Sequence, residues 1–278
     1  MHSTDNLLLP CGEGILELEI RNLTVEFRMK RTGERVRALD SLSLRLEPGR
    51  FVTIVGPSGC GKTTLLKSIA GLIRPTSGEI LIQGHRVERP GAERAIVFQT
   101  PALLPWRTVL RNVSYGLELQ GVSAHRAQEK ARRYIEMVGL SGFYESYPNE
   151  LSEGMRQRVN LARAMSVEPR LLLLDEPFAA LDSQTRTFMQ LELQSIWQRS
   201  KASALFVTHQ ITEAILLGDE VIVLSARPGR IKESLDVNLE RPRTIEMKRS
   251  AEFNLLEERV WDLIQEESLA LSRLQPAS

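Results

Sequence analysis

The stretch FVTIVGPSGCGKTT at residues 51–64 joins a short apolar, β-branched run to a glycine-rich loop. The loop has the spacing Gly56-x4-Gly61-Lys62-Thr63, and a helical pattern, KTTLLKSIAGL, begins at its end. A strand that passes through such a loop into a helix is the context that identifies a phosphate-binding loop. A chance glycine-rich turn is the alternative, and the flanking strand and helix both argue against it.

The chemistry of this loop predicts a site for a nucleoside triphosphate and Mg²⁺. Glycines let backbone N–H groups turn inward around phosphate oxygens, and the helix start adds the positive end of its dipole. Lys62 can reach the β- and γ-phosphates, and the Thr63 hydroxyl can ligate Mg²⁺. We therefore predict nucleotide contacts along the whole loop, from Gly56, Pro57, Ser58, Gly59, Cys60, Gly61, Lys62, Thr63 and Thr64.

A second apolar strand, LLLLDEP at 171–177, ends in two acidic residues. Ligands of parallel sheets bind at the carboxyl ends of the strands. We predict that Asp175 holds Mg²⁺ through its hydration shell and that Glu176 polarises the attacking water as a general base. An Asp-Glu pair after leucines is usually a solvated strand end, but the phosphate loop upstream favours the functional interpretation.

Two further polar residues close apolar strands, Gln99 after RAIVF and His209 after SALFVT. The Gln99 amide can offer oxygen to Mg²⁺ or water and nitrogen to phosphate. His209 can contact the γ-phosphate as a donor at neutral pH. Each alone is more often a strand cap or a structural residue, but their place at strand ends favours a catalytic role for both.

The segment LSEGM at 151–155 supplies a second helix start that can face phosphate. Ser152 is an N-cap candidate and a phosphate donor, and Gly154 permits close approach of the backbone. The phosphate loop on the same chain does not need this second site, so the segment predicts that another copy of the protein completes it. Glu153 places a carboxylate here, and we expect Arg156 to pair with it along the helix.

The remaining pattern predicts an α/β fold. Alternating residues at 15–29 and 38–49 and a hairpin at 78–87 indicate strands, whereas 110–165 is amphipathic helix with little strand signal. Strands then resume at 171–177 and alternate with helices, which implies a parallel sheet. A helical pattern also runs from about Glu252 to Leu271.

Composition limits the classes of function. The 278 residues carry 36 Lys and Arg against 35 Asp and Glu, a net charge of +1, which shows no bias toward nucleic acid. Two cysteines are not a disulfide framework and suit a reducing compartment. No apolar run approaches the roughly 20 residues that span a bilayer, and no basic residue precedes the short run Leu7–Leu9. We expect a cytosolic chain with a flexible start.

Together these motifs resemble the ATPase subunit of an ATP-binding cassette (ABC) transporter over about residues 16–230. The resemblance implies a P-loop NTPase cassette: a RecA-like core with a parallel sheet, an N-terminal antiparallel β subdomain and an inserted α-helical subdomain. It also implies that Phe27 stacks on adenine, although an ordinary strand phenylalanine is a comparable interpretation. The turn Ala180-Leu181-Asp182 matches the family, which implies a nucleotide-site role for Asp182.

The segments GAERAIVFQ, LLPWRTVLRNVSYGL and LSARPGRI look like importers of the nitrate, sulfonate and taurine group. That likeness implies a small anionic solute, two transmembrane permease subunits and a periplasmic or lipid-anchored solute-binding protein. It implies a head-to-tail homodimer with ATP sandwiched between Lys62 of one copy and Ser152 of the other. The chain would then lie peripherally on the cytoplasmic face of the inner membrane and contact the permeases near Trp106, unless Trp106 is a core residue.

The resemblance divides the chain into a flexible N-terminus (1–15), an ATPase domain (16–240) and a C-terminal helical tail (241–278). Within the ATPase domain, the core is predicted at about 16–100 and 165–240, with the helical lobe at about 101–164. Three alternatives stay open: a soluble ABC ATPase acting on nucleic acid or ribosomes, an importer for another small solute, and a cassette that does not hydrolyse ATP. A single cassette, the near-neutral charge and the intact Glu176 and His209 argue against the first and third.

Overall fold

Two β-sheets organise the computed structural model, which describes residues 15–29, 31–200 and 202–274. The flexible start predicted for 1–15 therefore lies outside the described residues, except for its last residue. The strands, in chain order, are β1 (Leu18–Arg28), β2 (Arg35–Leu46), β3 (Phe51–Val55), β4 (Ser77–Ile82), β5 (His85–Arg86), β6 (Arg94–Val97), β7 (Leu171–Asp175), β8 (Ser203–Val207), β9 (Glu220–Leu224) and β10 (Ile231–Asp236).

The helices lie mostly between strands of the larger sheet. They are α1 (Lys62–Ile69), α2 (Val109–Leu119), α3 (Ala124–Met137), α4 (Glu153–Ser166), α5 (Ser183–Arg199), α6 (Ile211–Leu217) and α7 (Ala251–Leu274), with short 3₁₀ turns at Pro148–Glu150 and Ile245–Arg249.

The larger sheet has six strands in the order β10-β9-β3-β8-β7-β6. The pairs β9–β3, β3–β8, β8–β7 and β7–β6 are parallel, as the alternation of strands and helices predicts. All five residues of β3, β7 and β8 are buried, because helices cover both faces of such a sheet. Strand β10 is antiparallel to β9 and was not predicted, since its half-exposed sequence IKESLD carries no apolar run.

The smaller sheet is antiparallel, with the order β2-β1-β4-β5. Leu18 of β1 lies opposite Leu46 of β2 and Ile82 of β4. The buried apolar residues of β1 are Leu18, Ile20, Leu23 and Val25, and a register shift between Ile20 and Leu23 interrupts their alternation. The predicted strands and hairpin are confirmed, but β2 begins at Arg35 instead of residue 38. Its first residues pair with the end of β1, where Phe27 lies opposite Val36.

Helices α2, α3 and α4 fill the chain between β6 and β7. Their apolar residues, including Val113, Ile135 and Val159, join one buried cluster with residues of β7 and β8. Their amphipathic pattern is confirmed as helix. The assignment of these helices to an inserted lobe remains a prediction.

The C-terminal helix α7 packs on the edge of the larger sheet. Phe253, Val260 and Leu263 are buried against Ala214 of α6 and Val223 of β9. The predicted helical pattern from about Glu252 is thus confirmed, and its apolar stripe has a structural partner.

Two arginines fasten the chain between β10 and α7 to the end of α6. Arg243 is 2% exposed and donates to the carbonyl oxygens of Ile215 (2.8 Å) and Val237 (3.0 Å). Arg241 donates to the carbonyl oxygen of Leu217 at 2.6 Å. The last carbonyls of a helix lack partners within the helix, so these guanidinium groups complete α6. Burial lowers the pKa of Arg243 to about 10, and the group stays charged at neutral pH.

Replacing Arg243 should therefore destabilise the fold strongly. We expect Arg243→Met to lower the free energy of unfolding by about 3 kcal/mol, because it leaves several buried carbonyl oxygens without a hydrogen-bond donor. Urea unfolding measures this change. The matched control is Arg259→Met, which removes an arginine whose ion pair with Glu233 is half-exposed and should leave the midpoint nearly unchanged. Equal midpoints for the wild type and Arg243→Met would contradict the structural role.

Candidate functional site

The predicted phosphate loop lies between β3 and α1, as the sequence requires. Gly61 precedes α1 with φ of 107°, in the left-handed region that favours glycine. A Cβ at this position would lie 2.7 Å from Cδ2 of Leu39 and 2.8 Å from the carbonyl oxygen of Ala38. The loop can therefore keep its shape only with glycine here. Ser58 and Gly59 are exposed at its tip.

Lys62 is buried inside the loop and has no carboxylate partner among the described residues. Its ammonium group donates to the carbonyl oxygens of Gly56 (2.7 Å) and Pro57 (3.1 Å). The Cys60 thiol is 1% exposed in the apolar core, and burial raises its pKa. Cys60 can thus offer its backbone to a phosphate, whereas Lys62 holds a charge that weak carbonyl acceptors satisfy only in part.

Thr63 and Asp175, both predicted to serve Mg²⁺, are in direct contact. The Thr63 hydroxyl donates to Oδ1 of Asp175 at 3.0 Å. Asp175 is 6% exposed, and burial raises its pKa against the opposing effect of this hydrogen bond. Hydroxyl and carboxylate oxygens suit Mg²⁺, which commonly keeps several waters and binds only one or two carboxylates. This donor pair therefore fits the ion.

Gln99, the third predicted metal ligand, follows β6, whose Val97 pairs with Leu174 next to the Asp175 end of β7. It lies two residues beyond the end of β6, and its side chain is exposed. Across the part of the chain that the structure describes, no hydrogen bond joins it to Thr63 or Asp175. A role for Gln99 remains a prediction.

Glu176 and His209 meet at the carboxyl ends of β7 and β8. Nδ1 of His209 lies 3.0 Å from Oε2 of Glu176. Glu176 has φ of 45°, and its backbone N–H donates to the carbonyl oxygen of Val207 at 2.9 Å. This left-handed residue turns the chain out of β7 and directs the carboxylate toward the neighbouring strand end. The two predicted catalytic residues are thus within hydrogen-bond distance of each other.

The predicted second helix start is present at α4. Ser152 is the N-cap, and its hydroxyl accepts from the backbone N–H of Met155 at 3.3 Å. Glu153 is paired with Arg156, whose Nε lies 3.1 Å from Oε2 of Glu153, as the spacing predicts. A Cβ on Gly154 would lie 3.2 Å from Cγ2 of Thr185, so this glycine also lets α4 approach α5.

Asp182 caps α5 and faces the same space as Ser152. Its Oδ1 accepts from the backbone N–H groups of Gln184 (3.1 Å) and Thr185 (3.0 Å). Hydrogen bonding by the Thr185 side chain, and then by these backbone groups, lowers the pKa of Asp182. Ser152, Gly154 and Asp182 line one cavity of about 430 Å³, and no residue of the phosphate loop lines it. Two separate groups of polar residues on one chain can thus receive phosphate.

Phe27, the predicted adenine platform, is 40% exposed near the end of β1. An exposed phenylalanine at a strand end offers a ring face to a planar base. Its role remains a prediction.

One residue beside this site was missed from the sequence. Glu213 of α6 is 3% exposed, and Oε1 accepts from Nε2 of Gln190 at 3.0 Å. The Thr208 hydroxyl donates to Oε2 of Glu213 and accepts from the backbone N–H of Gln210 at 3.0 Å. Glu213 therefore fixes the residues on both sides of His209. In the sequence it looks like an ordinary helix acid, because nothing there reveals its burial.

The titration of Glu213 generates a pH-dependent prediction. Burial raises its pKa above the ordinary 4.5, although the hydrogen bonds from Thr208 and Gln190 oppose the shift. The native state therefore binds the proton of Glu213 more tightly than the unfolded state does. The protonated side chain makes its whole contribution to the free energy of unfolding below the ordinary pKa, and this contribution is lost as pH rises through the raised pKa. We expect Glu213→Gln, which cannot ionise, to become more stable relative to the wild type between pH 4 and pH 8.

Urea unfolding of both proteins across this range measures the difference. Glu129→Gln, at an exposed glutamate of α3, is the matched control and should show a nearly constant difference. A difference for Glu213→Gln that does not change with pH would contradict the inferred ionisation.

Comparison with protein families gives a match to the family model described as ABC transporter over residues 39–179. The chain is 49% identical to an uncharacterized ABC transporter ATP-binding protein of Methanocaldococcus jannaschii, covering 91% of this chain and 93% of that protein. It is 48% identical to the nitrate import ATP-binding protein NrtD of Synechocystis sp. (86% and 91% covered) and 46% identical to the taurine import ATP-binding protein TauB of Rhizobium johnstonii (77% and 82%).

A solved structure shares the fold. The ATP-binding cassette MJ0796, in a dimeric post-hydrolysis state with ADP and Pi bound, is 30% identical to this chain with a TM-score of 0.71. The match covers 80% of this chain and 100% of MJ0796.

Proposed function

The chain belongs to the ABC transporter family, and we propose that it is the ATP-hydrolysing subunit of an importer for a small anion such as nitrate, taurine or another sulfonate. The observation that carries the proposal is the contact between Glu176 and His209 beside the loop of Lys62. The import of a small anion is supported by relatives named for nitrate and taurine uptake at 46–48% identity over most of the chain.

ATP binding is assigned to the loop at 56–64. The phosphate oxygens take the place of the carbonyl groups that now accept from Lys62, and they form stronger, charge-assisted hydrogen bonds. Backbone N–H groups of the loop and the start of α1 surround the phosphates. The ring of Phe27 is assigned to the adenine.

The metal site is assigned to Thr63 and Asp175, with Gln99 completing it when its loop closes. When bound, Mg²⁺ neutralises charge on the β- and γ-phosphate oxygens. Thr63 would ligate it through the hydroxyl that now donates to Asp175, and Asp175 would hold its water shell.

Hydrolysis is assigned to Glu176 as the general base. Its carboxylate takes a proton from the water that attacks the γ-phosphorus, and ADP leaves as the bond to the bridging oxygen breaks. Nδ1 of His209 lies 3.0 Å from the carboxylate and positions it. The doubly protonated imidazole ring would donate its second N–H to the γ-phosphate. Glu213 keeps His209 in place through Thr208.

The complete site is proposed to need two copies, related by a two-fold axis as a homodimer. The cavity of Ser152, Gly154 and Asp182 contains no phosphate-loop residue of its own chain. A second chain, head to tail, would offer the start of α4 to the γ-phosphate. The dimeric state of MJ0796 supports this arrangement.

The membrane partners are proposed to be two permease subunits, together with a periplasmic or lipid-anchored solute-binding protein. No helix among the described residues is long and apolar enough to span a bilayer. Trp106 is 70% exposed, so the alternative of a core tryptophan is wrong, and it offers an apolar contact beside the Gln99 loop. The chain would then act at the cytoplasmic face of the inner membrane.

Glu176→Gln should trap the ATP-bound homodimer. The amide keeps the shape of the side chain but is not a base, so turnover should fall by about 10² to 10⁴-fold while ATP still binds. Gel filtration with ATP and Mg²⁺ should show a dimer that the wild type does not accumulate. Glu129→Gln should behave as the wild type. A variant that stays monomeric with ATP, or that retains full ATPase activity, would refute the assignment.

The substrate class is tested by uptake in the source organism. Deletion of the gene should abolish uptake of at least one of labelled nitrate, taurine and an alkanesulfonate. Wild-type protein should restore uptake, and Lys62→Ala should not. Unchanged uptake of all three anions, with ATPase activity present, would show that the importer carries another solute.

A further inference from the structure

A basic cavity lies where the two sheets approach each other. It has a volume of about 660 Å³ and is lined in part by Arg86, Arg89, Arg94 and Arg170, which we call the arginine cavity. Arg86 ends the β4–β5 hairpin, whereas Arg94 begins β6 and Arg170 precedes β7. The parallel pairing of Arg94 with Leu171 places the last two arginines on adjacent strand starts.

Arg94 carries a buried charge that is only partly compensated. Its side chain is 4% exposed, and burial lowers its pKa. One terminal nitrogen is paired with Glu93 and the other donates to the carbonyl oxygen of Arg89, while Nε has no hydrogen-bond partner among the described residues. A buried guanidinium in this position gains from a further anion.

The other three arginines are exposed, and their guanidinium groups have no partner among the described residues. No hydrogen bond or ion pair within residues 15–29, 31–200 and 202–274 involves the side chains of Arg86, Arg89 or Arg170. By contrast, Arg37 and Arg230 are both paired with Asp40. Three guanidinium groups without a protein partner among the described residues therefore line one cavity.

The charge balance of the cavity remains positive when its acids are counted. Glu88 and Glu93 also line it, and Glu93 is already paired with Arg94. Four arginines against two glutamates leave a net charge of +2. His85 lies on the rim, where its Nδ1 is 3.0 Å from the carbonyl oxygen of Gln83.

The arginine cavity is distinct from the nucleotide site. Arg94 and Arg170 lie at the amino ends of β6 and β7, whereas Asp175 and Glu176 lie at the carboxyl end of β7. A five-residue strand separates the two ends by about 16 Å at 3.3 Å per residue. A ligand in this cavity would not compete with ATP.

We propose that the arginine cavity binds a small oxyanion. Guanidinium groups form paired, charge-assisted hydrogen bonds with two oxygens of sulfate, sulfonate, nitrate or phosphate. The bound anion would join the β4–β5 hairpin to the starts of β6 and β7. The binding rests on the geometry of the cavity alone, and the suggestion that the anion belongs to the imported class rests on the proposed function.

Calorimetric titration of the full protein with sodium sulfate tests the proposal. The protein is first saturated with ADP, so that the phosphate loop is filled, and ionic strength is held constant with chloride. We expect saturable binding in the wild type. The double variant Arg86→Gln with Arg170→Gln should bind sulfate more weakly, with a dissociation constant raised about tenfold or more, because two charge-assisted contacts are lost.

The matched control is Arg126→Gln with Arg199→Gln, which removes two exposed arginines from α3 and α5. This pair should bind sulfate as the wild type does. Unchanged ADP affinity in all proteins shows that each variant is folded. Absence of saturable binding of every oxyanion tested by the wild type, or equal weakening in both double variants, would overturn the proposal.

Parallel titrations with nitrate, methanesulfonate and inorganic phosphate identify the anion. Any one that binds with the same dependence on Arg86 and Arg170 supports the cavity as an oxyanion site. The anion that binds most tightly identifies the ligand. Tightest binding of nitrate would indicate a planar ligand, and tightest binding of phosphate would indicate the product of ATP hydrolysis instead of an imported solute. If none of the anions binds, the oxyanion site is refuted. The proposed transport function is not, because ATPase activity and uptake test it separately.

Discussion

The parallel pairing of β3, β8 and β7 is the constraint on which the site depends. It brings three carboxyl ends to one edge of the sheet, with β8 between the strand of the phosphate loop and the strand of Asp175. Thr63 reaches Asp175 across this arrangement at 3.0 Å, and Glu176 turns toward His209 at the end of β8. A shift of one residue in the register of any of these pairings would separate Thr63 from Asp175 or His209 from Glu176. The chemistry therefore follows from the register of the sheet more than from any single contact.

The sequence predicts the elements that have strong local signals. Glycine spacing, apolar runs and the acids after β7 identify the phosphate loop, the parallel strands and the Glu176–His209 region without a structure. Burial of polar residues cannot be predicted in this way. Glu213 and Arg243 carry ordinary surface side chains in the sequence, and only the packing of α6 against its neighbours makes them internal. Strand β10 was missed for a different reason: its half-exposed sequence carries no apolar run, and only its pairing with β9 defines it.

The separation of the phosphate loop from the start of α4 is the structural basis of the proposal that two copies together form the ATPase site. The start of α4 and Asp182 share a cavity with α5, and α5 begins directly after the turn that follows Glu176. The helix cap at Ser152 is formed within the chain, but its open side has no phosphate loop to face. The ion pair of Glu153 with Arg156 limits the repulsion that a carboxylate would exert on a nucleotide there. Closure between two copies can then use the same helix start in each.

Helix α6 connects the nucleotide site to the C-terminal part of the chain. It begins two residues after His209, and its last carbonyl groups accept from Arg241 and Arg243. Glu213, near its start, holds Thr208 and Gln190. Helix α6 is thus held at both ends by buried polar side chains, and its Ala214 packs in the same apolar cluster as Phe253 and Val260 of α7. The residues that flank His209 and the C-terminal helix are therefore supported by the same seven-residue element.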